Sequence, residues 1–189
     1  CWHITYQSKA TKEITKEIAG DKKHPAIFPT KLVEKCLKVS GLKKGIVFDP
    51  FMGTGTTACV AKEYGLEYVI MRPSALYGTR DMIVRVISQM TKSALLHDKI
   101  VVNGPDNKLD FSYVEDVADY FVGVAFHPDA KNQKFNCTRG RGRTIMEAAE
   151  LVQECVDKGF IETQPHDAFY PNRDTLDSSK IKQVLGYTP

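Results

Sequence analysis

Gly53 and Gly55 form a Gly-x-Gly-x-x-Ala58 loop directly after the apolar run Gly45–Phe51 and before a helical stretch, Ala58–Tyr64. A glycine turn between strand and helix can hold a nucleotide or nucleoside. The missing side chains let backbone approach the ligand, and the helix N-terminus offers unpaired N–H groups and the positive end of its dipole. An amino-acid carboxylate suits the same place. A ribose site of this type also needs an acid at the tip of the next strand, about 20 residues on. That tip reads Ile70-Met71-Arg72-Pro73-Ser74, and no Asp or Glu occurs from 68 to 80. The missing charged acceptor costs on the order of 1.5–3 kcal/mol of binding per bond.

Three further groups of residues invite a chemical reading. Arg139-Gly140-Arg141-Gly142-Arg143 has the composition of an RNA-binding tract, but it is short and lies between a strand and a capped helix. A loop that meets a sugar phosphate is favoured over nucleic acid, since Arg recognises phosphate in either setting. His97, His127 and His166 have no partners at metal-ligand spacing, so no metal site is expected. The five cysteines, at 1, 36, 59, 137 and 155, form no C-x-x-C, so neither a disulfide framework nor structural zinc is expected. Cys36, Cys59 and Cys155 sit among apolar residues and are expected to be small buried hydrophobes. A reducing, cytoplasmic setting follows.

The elements that would position these residues alternate. Thr30 is expected to cap a helix reaching Ser40, with Leu32, Val33, Cys36 and Leu37 as its apolar stripe. Strand, Gly loop, helix and the strand Glu67–Met71 then make a βαβ unit. Asp81–Ala94 reads as an amphipathic helix carrying Met82, Ile83, Val86, Ile87 and Met90 on one face. A strand at Lys99–Val102, a helix at Val114–Phe126 and a strand at Lys134–Cys137 follow. Thr144 and Glu147 form a capping box for a helix to about Lys158, and Ser178 caps a last helix stopped at Gly186. The class is α/β: a Rossmann-like parallel sheet flanked by helices, with a small C-terminal α/β lobe.

With 189 residues, 42% hydrophobic and 26% charged, the chain can bury an ordinary core. A net charge of +3 does not announce a nucleic-acid binder. No stretch nears the roughly 18 apolar residues of a membrane span. The charge is unevenly made, however. Residues 1–69 hold 11 Lys, no Arg and seven acids, a net of +4, whereas residues 70–189 hold eight Lys, seven Arg and 16 acids, a net of −1. Such a seam suggests that the two parts have separate histories.

The string Phe48-Asp49-Pro50-Phe51-Met52-Gly53-Thr54-Gly55-Thr56-Thr57 resembles the cofactor motif of β-class amino-DNA methyltransferases, which bind S-adenosylmethionine. In that class it lies near the C-terminus, after a segment like His24–Pro29 and a helix like Thr30–Ser40. The resemblance implies that Asp49, Pro50, Phe51, Gly53, Thr54, Gly55, Thr56 and Thr57 wrap the methionine end of the cofactor. His24 and Phe28 would close over it. The class's catalytic motif, D-P-P-Y or S-P-P-Y, would lie upstream of residue 1, so methyl transfer is not expected.

From about Ala61 onward the chain resembles NAD-dependent epimerases and dehydratases, the extended short-chain dehydrogenase/reductases. Arg72-Pro73 with Tyr77-Gly78, Phe111-Ser112-Tyr113-Val114-Glu115-Asp116-Val117-Ala118, and Ser179-Lys180 with Leu185-Gly186 carry this resemblance in the family's order. It implies that Pro73 to Leu76 lie against a nicotinamide and that Asn136 and Arg139 approach a nucleotide-sugar. That family acts through Tyr-x-x-x-Lys, in which Lys lowers the tyrosine pKa so that the phenolate serves as general base. No tyrosine here has a lysine four residues on, and the family's N-terminal Gly loop is missing as well. Hydride chemistry is not expected.

The expected protein is therefore chimera-like, with a methyltransferase-like segment over 1–69 and an epimerase-like segment over 70–189 merged into one domain. S-adenosylmethionine is the favoured cofactor and NAD the less favoured, with an empty protein as the third case. A small nucleotide is the expected ligand, and neither membrane nor nucleic acid is an expected partner. New edge strands and uncovered helix faces at such a splice predict a homodimer or a strand-exchanged dimer.

Overall fold

The computed structural model describes residues 29–49, 55–83, 85–164 and 174–186. The chain divides into two units, one drawn from Cys1–Met71 and Phe121–Phe135, the other from Arg72–Tyr120 and Asn136–Pro189. Neither coincides with a segment of the sequence seam.

In the first unit, α1 (Thr30–Ser40) begins after Pro29, whose φ of −68° and ψ of 140° set the entry without any side-chain cap. Thr30 is thus the first helical residue, and it is buried rather than capping. Only Val33 of the expected stripe is buried, while Leu32 and Cys36 are exposed. Gly41, left-handed at φ 66°, ends the helix. β1 (Ile46–Phe48) runs parallel to β2 (Glu67–Pro73), Ile46 opposite Glu67 and Phe48 opposite Val69. The crossover between them is α2 (Thr56–Glu63), which buries Val60 and Ala61 completely. This is the βαβ unit read from the sequence, its helix starting two residues earlier than expected.

The third strand of this sheet comes from beyond the seam. Strand order is β1-β2-β7, where β7 is Gln133–Cys137. Asn132 pins its approach: its N–H donates to the Tyr68 carbonyl at 2.7 Å, and its side-chain oxygen accepts the Tyr68 N–H at 3.3 Å. Asn132 takes a left-handed φ of 58°, which Asn tolerates better than most residues. Phe48 and Phe121 also meet edge to face, 6.1 Å between centroids.

The second unit pairs short strands. β3 (Ala75–Tyr77) lies parallel to β6 (Phe111–Tyr113), and β4 (Lys99–Asn103) parallel to β9 (Phe160–Gln164). β5 (Lys108–Leu109) runs antiparallel to β8 (Arg143–Thr144). The unit's helices are α3 (Val86–His97), α5 (Ile145–Val156) and α6 (Ser179–Leu185), and α4 (Val114–Phe126) is divided between the two units after Tyr120. Met90 and Ala94 of α3, Ile100 and Val102 of β4, and Ile145, Ala148, Ala149 and Val152 of α5 share one core with Leu109 and Phe111.

Several expectations change here. The helix expected from Asp81 starts at Val86, because Asp81 makes a turn: its Oδ1 accepts the Ile83 N–H and its Oδ2 the Ser88 hydroxyl, at 3.2 and 2.7 Å. Met82 and Ile83 are therefore exposed, at 91% and 65%, while Val86, Ile87 and Met90 face the core as expected. β9 was not foreseen. The capping box at Thr144 and Glu147 is present with both bonds. Ser178 is the residue before α6 but makes no side-chain cap, and the neighbouring Asp177 carboxylate accepts the Ser179 N–H at 2.9 Å instead. That bond and the Ser179 hydroxyl hold the Asp177 carboxyl below its ordinary range.

The cysteines also differ from expectation. Cys36 and Cys155 are exposed and Cys59 half-buried, because helix faces assigned to the core look outward; Cys137 is the buried one. Burial pushes its thiol up to about 12. Iodoacetamide at pH 8 is expected to modify Cys36 and Cys155 in the folded protein and to leave Cys137 intact, as peptide mass spectrometry would show. Among the described residues no helix is long and apolar enough to cross a membrane, and no cluster of metal-ligating side chains occurs.

Candidate functional site

Two places bring expected site residues together. In the first unit Asp49 follows β1, and Gly55, left-handed at φ 89°, immediately precedes α2. The Thr57 hydroxyl donates to Asp49 Oδ2 at 2.6 Å, closing the strand end onto the first turn of the helix. Thr56 and Thr57 are both buried. Pro50, Phe51, Gly53 and Thr54, with His24 and Phe28, lie outside the described residues.

In the second unit a cavity of about 360 Å³ is lined by Tyr77, Phe111, Arg139, Arg143 and Cys155, with apolar residues of α3 and α5 completing its wall. Its size is that of a small-molecule site. β8 holds Arg143 through its register, Leu109 opposite Arg143 and Lys108 opposite Thr144. Arg139 is held by its backbone: its N–H donates to Ser112 Oγ at 3.0 Å, and its carbonyl accepts Lys182 Nζ at 2.7 Å. Neither guanidinium is paired with a carboxylate among the described residues. Two unpaired arginines beside aromatic rings suit a planar, anionic ligand.

The other expected substrate residues go elsewhere. Asn136 donates its amide to the Asp177 carbonyl at 2.7 Å, and Leu76, half-buried in β3, gives its carbonyl to Arg85 at 3.3 Å. Pro73, ending β2, is exposed. Tyr77 and Cys155 were not singled out for this site. Arg143 carried a signal, as the last residue of the Arg-Gly tract, whereas Cys155 joins only through the packing of α5.

Tyr113 stacks at a tilt on Tyr77, 5.6 Å between centroids. The Glu115 carboxylate beside it pushes its phenol above the ordinary range. That environment keeps the phenol neutral and opposes its use as a base.

Comparison with known proteins divides the chain in two. Residues 1–74 match the DNA methylase family, and residues 51–138 match the NAD dependent epimerase/dehydratase family. A type II methyltransferase of Haemophilus influenzae is 41% identical over 58 residues, 31% of this chain and 16% of that protein. An orphan methyltransferase of Bacillus amyloliquefaciens is 50% identical over 46 residues, 24% of this chain and 17% of its own length. The chain thus spans under a fifth of these relatives. Among solved structures, the UDP-glucose 4-epimerase of Thermotoga maritima with UDP-glucose superposes with a TM-score of 0.68 at 22% identity, covering 99% of this chain and 71% of that one. An epimerase of Methanothermobacter thermautotrophicus gives 0.69 at 14% identity, covering 96% and 62%. The fold is that of the Rossmann-like epimerases, and the chain is a chimera-like mix of the two family matches, which overlap at α2 and β2.

Proposed function

We propose that the chain is a recombined Rossmann-like protein that binds a phosphorylated ligand of the nucleotide-sugar class and does not turn it over. The observation that carries this reading is the cavity of the second unit, with Arg139 and Arg143 at its wall and neither paired with a carboxylate among the described residues. A diphosphate would satisfy both guanidiniums, and Tyr77 and Phe111 offer flat apolar surface to a base or sugar ring. The Thermotoga maritima epimerase holds UDP-glucose in a similar fold, which supports that ligand class. Neither Tyr-x-x-x-Lys nor Pro-Pro-Tyr occurs in residues 1–189, which supports binding without turnover.

The test pairs a thermal shift with thiol protection. UDP-glucose is expected to stabilise the protein by about 2.7 kcal/mol at a hundredfold excess over its dissociation constant. It should also slow alkylation of Cys155, which lines the cavity, and leave Cys36 unaffected. A protein that UDP-glucose neither stabilises nor protects at Cys155 would sink the proposal.

A second reading rests on the Thr57–Asp49 bond and the left-handed Gly55, which shape a helix N-terminus for an amino-acid carboxylate. It assigns residual S-adenosylmethionine binding to the first unit. A shift with S-adenosylmethionine that Gly55→Asp abolishes supports it; equal shifts in parent and variant dismiss it. NAD is the third ligand for the same panel.

A further inference from the structure

The Arg139–Arg143 tract is clasped along its backbone. The Gly140 N–H donates to Asp110 Oδ2 at 3.2 Å and the Gly142 N–H to Thr175 Oγ1, beside the Arg139 bonds to Ser112 and Lys182. The glycines leave room for the hydroxyls that lie over them. A Cβ at Gly140 would run into Ser178 Oγ, and one at Gly142 into Thr175 Oγ1, each inside any permitted contact distance. Gly140 also takes a φ of 77°. The 174–182 segment thus lies over the loop at its two glycines.

Asp110 joins the two. Its side chain is fully buried, and the same Oδ2 that accepts the Gly140 N–H accepts the Leu176 N–H at 3.4 Å. Its Oδ1 has no partner among the described residues. A buried carboxylate is costly unless its bonds repay desolvation, and these two bonds tie the arginine loop to the C-terminal segment. Thr138 Oγ1, donating to the Leu176 carbonyl at 3.4 Å, and Asn136, donating to the Asp177 carbonyl, run alongside.

We infer that Asp110 is the positioning residue of the arginine cavity, coupling the loop that carries Arg139 and Arg143 to the segment 174–186. Order in that segment and occupancy of the cavity by a phosphorylated ligand then rise together. This coupling rests on the ligand reading above, while the clasp itself does not.

The test is amide hydrogen exchange on the full chain, with UDP-glucose as probe. In the parent protein, saturating UDP-glucose is expected to slow exchange across 174–186 as well as 139–143. Asp110→Ala is expected to speed exchange of the Gly140 and Leu176 amides at least tenfold and to weaken UDP-glucose at least tenfold. At UDP-glucose concentrations raised to saturate this variant, 174–186 should no longer be slowed, a result that general destabilisation would not give. Asp110→Asn, which keeps an acceptor oxygen, should return both rates to within threefold of the parent. Thr175→Val, at an exposed position, should speed exchange at Gly142 and serves if the Asp110 variants do not fold. Parental exchange rates at Gly140 and Leu176 in Asp110→Ala, or at Gly142 in Thr175→Val, overturn the clasp. Protection of Cys155 by UDP-glucose without slowing at 174–186 overturns the coupling and leaves the binding proposal standing. If UDP-glucose does not bind at all, the binding proposal and the coupling fail together, and the ligand-free exchange rates still decide the clasp.

Discussion

Arg143→Ala is expected to weaken UDP-glucose binding by ten- to a hundredfold while leaving the unfolding midpoint of the free protein nearly unchanged. Arg143 is half-buried in β8, its backbone paired with Leu109 and its side chain on the cavity wall. Hydrogen bonds to charged groups contribute about 1.5–3 kcal/mol each, and about 1.4 kcal/mol corresponds to a factor of ten. Alanine deletes one of them. The β5–β8 backbone bonds do not depend on the side chain, which is why stability should hold. Arg143→Lys keeps the charge and loses the planar fork, so its affinity should fall between the two. Calorimetric titration at two salt concentrations checks both points, because a phosphate contact weakens as salt rises. Equal affinities for parent and Arg143→Ala would remove the guanidinium from the site.

What the sequence made legible was local. The two strands and the helix between them within 46–73 follow from apolar runs and glycines a few residues apart, and among the described residues they occur with ends shifted by a few positions. Thr144 and Glu147 announced their capping box because both partners lie within one turn. Asp81 misled for a related reason: an acid before an apolar period looks like a helix cap, and here it closes a separate turn five residues ahead of Val86. β9 was missed because Phe160–Gln164 carries a mixed, partly polar pattern, and its strand character comes from pairing with the distant β4. Of the cavity, Arg139 and Arg143 were legible as the ends of the Arg-Gly tract. Tyr77, Arg143 and Cys155 are brought together by strand register and helix packing, which no local pattern encodes. The charge seam at residue 69 is not a boundary of the architecture, since β7 completes the sheet begun by β1 and β2. A Rossmann-like sheet allows this, because a strand from either side of the seam can join the same parallel arrangement.

The largest stability loss is expected from Ile100→Ala, about 2–5 kcal/mol. Ile100 is fully buried in β4, opposite Ile161 of β9, in the core that α3 and α5 share. Its cavity cannot fill easily, because the turn beside it is held by hydrogen bonds. Gly159 stands so close that an added Cβ would lie 3.0 Å from Ala94 Cβ and 3.1 Å from Ile100 Cγ1. The Gly159 N–H is held by Asp98 Oδ1 at 2.8 Å, and its carbonyl by Gln153 Nε2 at 2.6 Å. Against a total stability of about 5–15 kcal/mol for a typical domain, the loss would leave a visible unfolded population. Urea titration should show a lower midpoint at an unchanged slope. Gly159→Ala is expected to destabilise from the opposite cause, overpacking together with a left-handed φ of 89°. Trimming Ile100 to Ala removes the Cγ1 from that crowding but neither Ala94 nor the backbone strain. The double variant Ile100→Ala/Gly159→Ala should therefore lose less than the two single losses added together, by a few tenths to about 1 kcal/mol. Strict additivity would mean that Ile100 and Gly159 are not in contact, and the packing of β4 against the turn into β9 would have to be redrawn.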